Sequence, residues 1–215
     1  MLQHLWWIWM QYKLATKLFR NKYQYKIVLV CSFAGVFRAG DMEKTIQSLQ
    51  KTNKNPVYRN NPVVARSKND SDYAIKLATV INNLSDIDIR VENPWLSIYT
   101  NNKSDIDALA NLDCDQVKYI CEPPATGLKE NTIIMPKMDY DFRVTLGKTT
   151  SSNLPFVEWA LQNKKVKLPK GCILELTRNR SWGGKHFYIS GDNNLLMAKM
   201  HLGGCIAKVE RIAKA

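Results

Sequence analysis

The stretch KYQYKIVLV, residues 22–30, is rich in β-branched and aromatic side chains and predicts a β-strand. The stretch MDYDFRVTL, residues 138–146, has the same character and predicts a second strand of the same kind. Each of them is followed, further along the chain, by a tryptophan, a short apolar run, a polar turn, a helical segment and a last strand. The sequence therefore predicts the same βαββαβ unit twice.

The matching segments recur at comparable positions in the two halves. In the first half, Trp95 is followed by the apolar run 96–100, the helical segment 104–112 and the last strand 117–121. In the second half, Trp182 is followed by the apolar run 186–190, the helical segment 193–202 and the last strand 206–212. The fold class that we predict is α+β, with two tandem ferredoxin-like (βαββαβ) units related by internal duplication. A parallel βαβαβ layout for each half is the alternative.

Turn and helix signals set the expected domain bounds. We expect an apolar and basic arm at residues 1–21 and a first ferredoxin-like domain at 22–122, with a basic insert at 51–70. A linker that begins at a Pro-Pro pair is expected at 123–130, and a second ferredoxin-like domain at 131–215.

Local patterns predict several elements inside these domains. Asp41 is placed to cap a helix through Leu49, and the last helix is expected to end at Gly203. Residues 173–176 and 187–189 are predicted as the central strands of the second domain. A helix starting at 154–156 is predicted to bury Phe156, Val157, Ala160 and Leu161.

Charge is unevenly distributed along the 215 residues, whose net charge is +12. Residues 1–68 hold 12 Lys/Arg against 2 Asp/Glu, residues 69–130 hold 5 against 11, and residues 131–215 hold 14 against 6. This basic–acidic–basic distribution favours a positive face that binds a polyanion. A surface that is merely solvated is the alternative.

The five cysteines, an odd number without a C-x-x-C pair, predict reduced thiols and a cytoplasmic location, with association with a virion as the alternative. Three histidines at unrelated spacing do not form a recognised zinc pattern, so we expect neither a metal nor a cofactor.

An aromatic run at the start of the chain includes Trp6, Trp7 and Trp9 and is followed by basic residues. This order is the reverse of a secretory signal, and the run is too short to span a bilayer. We expect an arm that docks in a protein partner. A membrane-interface anchor and a non-native extension remain alternatives, and we regard a membrane as the less favoured partner.

Residues 178–185, RNRSWGGK, are the strongest candidate for a functional site. Arg178, Arg180 and Lys185 are suited to contact phosphates, Trp182 is suited to stack on an unpaired base, and the glycines let backbone approach closely. In the alternative interpretation this is a solvated hairpin whose Trp182 folds back over the core.

Other basic residues join this candidate. Lys148 follows a strand within Gly147-Lys148-Thr149, which lacks the first glycine of a P-loop because Phe142 occupies that position. The insert contributes Arg59, Arg66 and Lys68. We expect all of these to contact nucleic acid, either single-stranded or RNA.

The function that we predict is non-enzymatic nucleic-acid binding within a larger assembly, of which a viral particle is one kind. A structural or adaptor subunit of such a particle is the second hypothesis. A metal-independent endoribonuclease that uses His186 and Tyr188 is the third. The βαββαβ topology occurs in RNA-recognition modules, but residues 185–189 do not fit their strand motif, so the sequence is not assigned to that family.

Overall fold

The computed structural model describes residues 11–54 and 68–214, with the backbone alone at 52–54, 68 and 69. These residues form an α+β protein that contains two five-stranded β-sheets. They divide into two compact units between Leu128 and Lys129. The division falls inside residues 123–130, the segment that the sequence predicts as a linker.

Within residues 11–54 and 68–128, the first unit shows five strands, three α-helices and two 3-10 helices. In chain order they are β1 (Tyr12–Leu14), β2 (Tyr25–Val30), a 3-10 helix (Ala34–Ala39), α1 (Met42–Lys54), α2 (Lys68–Asn82), β3 (Asp88–Glu92), β4 (Trp95–Thr100), α3 (Lys103–Ala110), a 3-10 helix (Cys114–Gln116) and β5 (Val117–Glu122).

The first sheet has the strand order β1-β5-β2-β4-β3. Strand β2 pairs antiparallel with both β4 and β5, and β3 pairs antiparallel with β4, whereas β1 lies parallel to β5 at the edge. The antiparallel centre excludes the parallel alternative for this unit.

The core of the first unit lies on one face of β2 and β4. Alternate residues of these strands are fully buried there, because successive side chains of a strand point to opposite faces. The central members of this core are Ile27, Leu29, Leu96, Ile98, Leu77 and Phe37. The predicted cap of α1 is confirmed, since Asp41 Oδ1 accepts a 3.0 Å hydrogen bond from the Lys44 amide.

The second unit repeats this type of construction with five strands and three α-helices. In chain order the elements are β6 (Thr132–Ile134), β7 (Phe142–Leu146), α4 (Leu154–Gln162), β8 (Val166–Lys167), α5 (Lys170–Thr177), β9 (His186–Ile189), α6 (Asp192–Leu202), a 3-10 helix (Gly203–Cys205) and β10 (Ile206–Ala213). The strand order is β6-β10-β7-β9-β8, with β6 parallel to β10 and the other neighbours antiparallel.

One predicted strand of the second unit is wrong. Residues 173–176 belong to helix α5, and the strand beside β9 is the two-residue β8. Cys172 and Leu176, four residues apart, are both buried on one helical face, whereas Leu174 is exposed. A short apolar run fits a strand and a buried helix equally well, so the sequence pattern could not separate them.

Helix α4 begins where the sequence predicts, at Leu154, with Pro155 in its first turn. Phe156, Val157 and Ala160 are buried as expected, but Leu161 is 63% exposed. Helix α6 ends at Leu202, immediately before the predicted stop at Gly203.

The last strand of each sheet carries an extra residue near its start. Val117 and Tyr119 pair with Leu29 and Val28, which leaves Lys118 as the additional residue. In the second unit, Ile206 and Lys208 pair with Leu146 and Thr145, which leaves Ala207. Such β-bulges bend the strand and change the direction of side chains.

A buried ion network lies on the face of the second sheet that does not carry the core. Glu210 is 1% exposed, and its carboxylate accepts hydrogen bonds from the Arg143 guanidinium and lies 3.2 Å from Lys208 Nζ. Burial raises the pKa of Glu210, but the hydrogen bonds and charges of these two cations outweigh burial and lower that pKa overall.

Arg143→Met is expected to lower the free energy of unfolding of the second unit by about 3 kcal/mol at pH 7, because it leaves a buried carboxylate with one cation. The pKa of Glu210 is lower in the folded than in the unfolded chain, so the stabilisation is complete above the unfolded value of about 4.3. It is lost as the pH falls through the folded value. The loss caused by the substitution should therefore shrink below about pH 4, as measured by urea unfolding.

Lys214→Met is the matched control, because Lys214 and its partner Asp139 are both exposed. A change of no more than about 1 kcal/mol is expected for this pair. Equal effects of the two substitutions would contradict a buried role for the Arg143–Glu210 pair.

Candidate nucleic-acid interface

The predicted basic hairpin is a ribbon built from two distant parts of the chain. Beyond Leu146, the backbone continues β7 and pairs with the segment that precedes β9. Thr149 and Ser181 exchange two 3.1 Å backbone hydrogen bonds. We call residues 147–149 and 178–185 the basic ribbon. Helices α4 and α5 and strand β8 lie between its two halves in the sequence, so the ribbon is not a simple hairpin.

A glycine bulge shapes the ribbon. The Gly184 amide donates to the Leu146 carbonyl oxygen, and the Leu146 amide donates to the Lys185 carbonyl oxygen, both at 2.8 Å. Two residues of one strand thus oppose one residue of the other, and Gly184 has a φ of +81°. This is the arrangement of a G1 β-bulge, in which glycine supplies the left-handed backbone.

Gly183 is held where a side chain does not fit. Its φ is +75°, and a Cβ atom there would lie 2.7 Å from the Leu146 carbonyl oxygen and closer still to the Gly147 carbonyl group. Gly147 in turn donates its amide to the Cys205 carbonyl oxygen at 2.8 Å. Close packing of three backbone segments therefore fixes the base of the ribbon.

Trp182 projects from this fixed base into solvent. Its side chain is 85% exposed, whereas the neighbouring Ser181 is buried. The Lys148 ammonium lies 5.2 Å from the centroid of the Trp182 ring, within the range of a cation–π contact. The alternative in which Trp182 folds back to cover the core is wrong.

Four cations of the ribbon are exposed and lack a described carboxylate partner. Lys148, Arg178, Arg180 and Lys185 form no ion pair within residues 11–54 and 68–214. By contrast, Arg143, Lys208 and Lys214 of the same unit each pair with a carboxylate. The ribbon thus concentrates positive charge that the fold itself leaves unneutralised.

Several predicted contact residues cannot be placed beside the ribbon. Arg59 and Arg66 of the insert, and Trp6, Trp7 and Trp9 of the arm, lie outside the described residues. Lys68 begins helix α2, but its side chain is not among those described. Among the described residues, the geometry brings together the predicted contact residues of the second unit.

The sequence did not predict a contact between Lys118 and Trp95. Lys118, the bulge residue of β5, places its ammonium 3.4 Å from the centroid of the Trp95 ring. The sequence offered Trp95 only as the counterpart of Trp182. No sequence signal marked Lys118, because the position of a bulge depends on the pairing of two distant strands.

The two side chains suggested for catalysis, His186 and Tyr188, both belong to strand β9. The rings of His186 and Tyr188 lie edge to face on β9 with centroids 5.7 Å apart. Burial raises the pKa of the Cys172 thiol to about 11, although the Lys185 ammonium acts in the opposite direction, so this cysteine is a poor nucleophile. Among the described residues, no three His, Cys, Asp or Glu side chains cluster as metal ligands.

Comparisons of this chain with protein-family models, with curated proteins and with solved structures found no match. Within the part of the chain that the structure describes, no helix combines the length and the apolar character needed to cross a membrane.

Gly183→Ala is expected to displace the ribbon, because the added methyl group collides with the backbone at Leu146 and Gly147. We expect a lower melting temperature and broadened or shifted amide NMR signals for residues 147–149 and 181–185. Gly204→Ala is the control, since a Cβ atom there meets no described atom within 4 Å. If Gly183→Ala leaves the signals of the ribbon unchanged, the close backbone approach is not required.

Proposed function

We propose that this protein binds nucleic acid through the basic ribbon, without catalysing a reaction on it, as part of a larger assembly. The observation that supports this function is the 85% exposed Trp182 beside Lys148, on a ribbon whose other cations have no described carboxylate partner. The proposal needs no cofactor.

The exposed tryptophan argues for a ligand. Burying a large apolar side chain stabilises a protein by roughly 1.5–3 kcal/mol, and the fold forgoes that gain at Trp182. An indole face is available for stacking on any base that is not already paired and stacked. Cations around it attract the phosphates of the same strand and release condensed counterions. The combination favours single-stranded nucleic acid over duplex.

We infer further that each unit is a ferredoxin-like βαββαβ fold with one additional edge strand, with two helices in the first crossover of the first unit and with the additional helix α5 between β8 and β9 of the second unit. Without β1, the first sheet has the order β5-β2-β4-β3, which is the fourth, first, third and second strand of such a unit. Without β6, the second sheet gives the same order, and the bulges at Lys118 and Ala207 fall at corresponding points. This supports internal duplication, but a fold of this kind serves many functions and does not itself indicate one.

Replacing Arg178, Arg180 and Lys185 together with Ala is expected to weaken binding to all sequences. The slope of log K against log salt should fall by roughly two to three, since each neutralised phosphate contributes about 0.7–0.9. Fluorescence anisotropy with labelled single-stranded oligonucleotides over a salt series measures both quantities.

A matched triple variant separates local contacts from net charge. Replacing Lys164, Lys165 and Lys199 with Ala removes the same charge from exposed positions of the same unit that lie outside the ribbon. Equal losses in the two triple variants would indicate that general charge, and not the ribbon, attracts the nucleic acid.

Trp182→Ala is expected to act differently from the loss of the cations. It should weaken binding to single strands by about 1–3 kcal/mol, have little effect on duplex, and leave the salt slope unchanged. The melting temperature should also stay the same, because the ring is largely exposed. A large drop in melting temperature with unchanged binding per folded molecule would assign the ring a structural role.

An adaptor or structural subunit is the second candidate. Helices α4 and α6 of the second unit expose large apolar side chains that are suited to a protein interface: Leu161, Leu196, Met197 and Met200. Binding of a protein partner through Trp6, Trp7 and Trp9 also remains a proposal. If the intact protein binds neither single nor double strands at low salt, this candidate replaces nucleic-acid binding.

The endoribonuclease is the third candidate and rests on the exposed His186 beside Tyr188. The same binding samples test it. RNA that is recovered intact after incubation with the protein in a metal chelator supports binding alone, whereas cleavage that His186→Ala abolishes supports the nuclease.

A further inference from the structure

Two groups of cations stand out among the described side chains of the first unit, and the exposed Lys17, Arg38, Lys51 and Lys76 belong to neither group. Five cations form ion pairs with nearby carboxylates, namely Arg20 with Asp88, Lys22 with Asp86, Lys44 with Asp41, Arg90 with Glu92 and Lys103 with Glu122. In contrast, Lys13, Lys26 and Lys118 have no carboxylate partner among the described residues, and each lies against an aromatic ring.

Two of these lysines share one face of the first sheet. Lys13 on β1 and Lys26 on β2 are both register partners of Cys121 on the strand between them, so all three side chains point to the same side. Tyr119, two residues before Cys121, lies on that side as well. Its ring centroid is 4.1 Å from Lys13 Nζ and 5.3 Å from Lys26 Nζ, and its hydroxyl accepts a 3.0 Å hydrogen bond from Lys26.

The third lysine extends this group across the sheet. The bulge at Lys118 brings its ammonium to 3.4 Å from the centroid of the Trp95 ring on β4. Trp95 is 42% exposed, and Lys118 is exposed. Strand spacing and rise place Trp95 and Tyr119 roughly 12 Å apart, a separation that an extended strand can span.

On one side of these residues the same face carries the exposed Arg90–Glu92 ion pair, whose members are register partners of Ser97 and Trp95. Another part of the face is covered by the chain itself. Tyr99 is 5% exposed because the rings of Phe19 and Tyr23 pack against it, with centroids at 5.8 and 6.4 Å. Arg20 lies beside the same ring and is neutralised by Asp88 at 3.2 Å. The region with unpaired cations therefore has a definite border, and we call Lys13, Lys26, Trp95, Lys118 and Tyr119 the lysine–aromatic strip.

We propose that the lysine–aromatic strip is a second contact surface for single-stranded nucleic acid, separate from the basic ribbon. This inference rests on the proposed nucleic-acid function of the protein. Charge complementarity identifies the ligand, since unneutralised ammonium groups attract phosphates. Aromatic rings beside them offer faces on which unpaired bases stack.

Bound nucleic acid would exchange one set of contacts for another. In the free protein, the ammonium of Lys118 lies against the Trp95 ring. A phosphate draws this ammonium away, and a base takes its place on the ring. The exchange is favourable because a cation–π contact at an exposed site is weaker than base–aromatic stacking together with phosphate neutralisation.

The test uses the intact chain with 20-nucleotide single strands of deoxythymidine and of uridine. The Lys13→Ala/Lys118→Ala variant is expected to lower the salt slope by roughly 1.4, from about 0.7 per phosphate on single strands. The control is Lys22→Ala/Lys103→Ala, which removes equal charge from lysines that are paired with carboxylates. The control should change the slope little.

The ring is tested separately. Trp95→Leu is expected to weaken single-strand binding about 5- to 20-fold without changing the salt slope, and Trp95→Phe should retain most of the affinity because it keeps a stacking face. Melting temperatures identify any variant that fails to fold. Photocrosslinking of a bromouridine-substituted strand should also label Trp95 or Tyr119, which peptide mapping detects.

The outcomes distinguish this inference from the proposed function. If the intact chain does not bind either strand, both fail. If the variants of the ribbon weaken binding but those of the strip match their control and all crosslinks map to Trp182, only the strip fails. If the strip variants instead dissociate an oligomer in sedimentation, the face is a protein interface and the inference is overturned.

Discussion

Antiparallel pairing between the last strand of each unit and its long central strand is the constraint on which both sheets depend. Strand β5 pairs with β2 in the first sheet, and β10 pairs with β7 in the second. The central strands supply fully buried core residues, among them Ile27, Leu29, Val144 and Leu146. Because a shift of one residue would turn these side chains to the opposite face, the register of this pair determines the position of every neighbouring strand.

Each of these pairs contains a bulge at the same point, and each candidate surface lies beside one. In the first unit the extra residue is Lys118, whose long side chain reaches the ring of Trp95. In the second unit the extra residue is Ala207. A Cβ atom added at Gly147 would lie 3.5 Å from the Cβ atom of Ala207. A small residue at this bulge leaves room for the ribbon backbone.

Trp95 and Trp182 differ in exposure because they lie at different places relative to their strand ladders. Trp95 is the first residue of β4 and stays within the ladder, opposite Val30, so part of its ring is covered. Trp182 lies beyond the ladder of β9, between Ser181 and a glycine that contacts the facing backbone. Its indole ring is 85% exposed. The half-covered ring of Trp95 and the largely exposed ring of Trp182 thus reflect different positions relative to the strand ladder.

The sequence predicted those elements that have a long residue pattern or a capping residue, proline or glycine at one end. The strands that contain residues 25–30 and 142–146, the helix with Pro155 in its first turn, and the cap at Asp41 were all recognisable. Strands β1, β6 and β8 have only two or three residues each and carry no periodic signal. Their existence depends on partners far away in the chain, which local patterns do not encode.

The candidate site was only partly predictable for a related reason. The cations and Trp182 were identifiable from residue type and spacing, but two opposite roles for Trp182 fitted the sequence equally well. The exposure of the ring decided between them. The contribution of Lys148 to the same surface follows from the pairing of Thr149 with Ser181, 32 residues later in the chain.

Folding neutralises part of the positive charge that the sequence shows. In the sequence, the acidic middle third is separate from the basic first third. In the first unit, Asp86 and Asp88 of the middle third neutralise Lys22 and Arg20 of the first. The net charge of +12 therefore overstates what is available to a polyanion.

In the proposed function, cations without a described carboxylate partner are the better candidates for phosphate contacts, because a paired cation must first give up its partner. In both units such cations lie next to partly or largely exposed indole rings: Lys118 at Trp95, and Lys148 at Trp182. Folding thus places some of the cations that have no described carboxylate partner beside an aromatic face in each unit. A single strand of nucleic acid offers the complementary groups, a phosphate and an unpaired base, within each of its nucleotides.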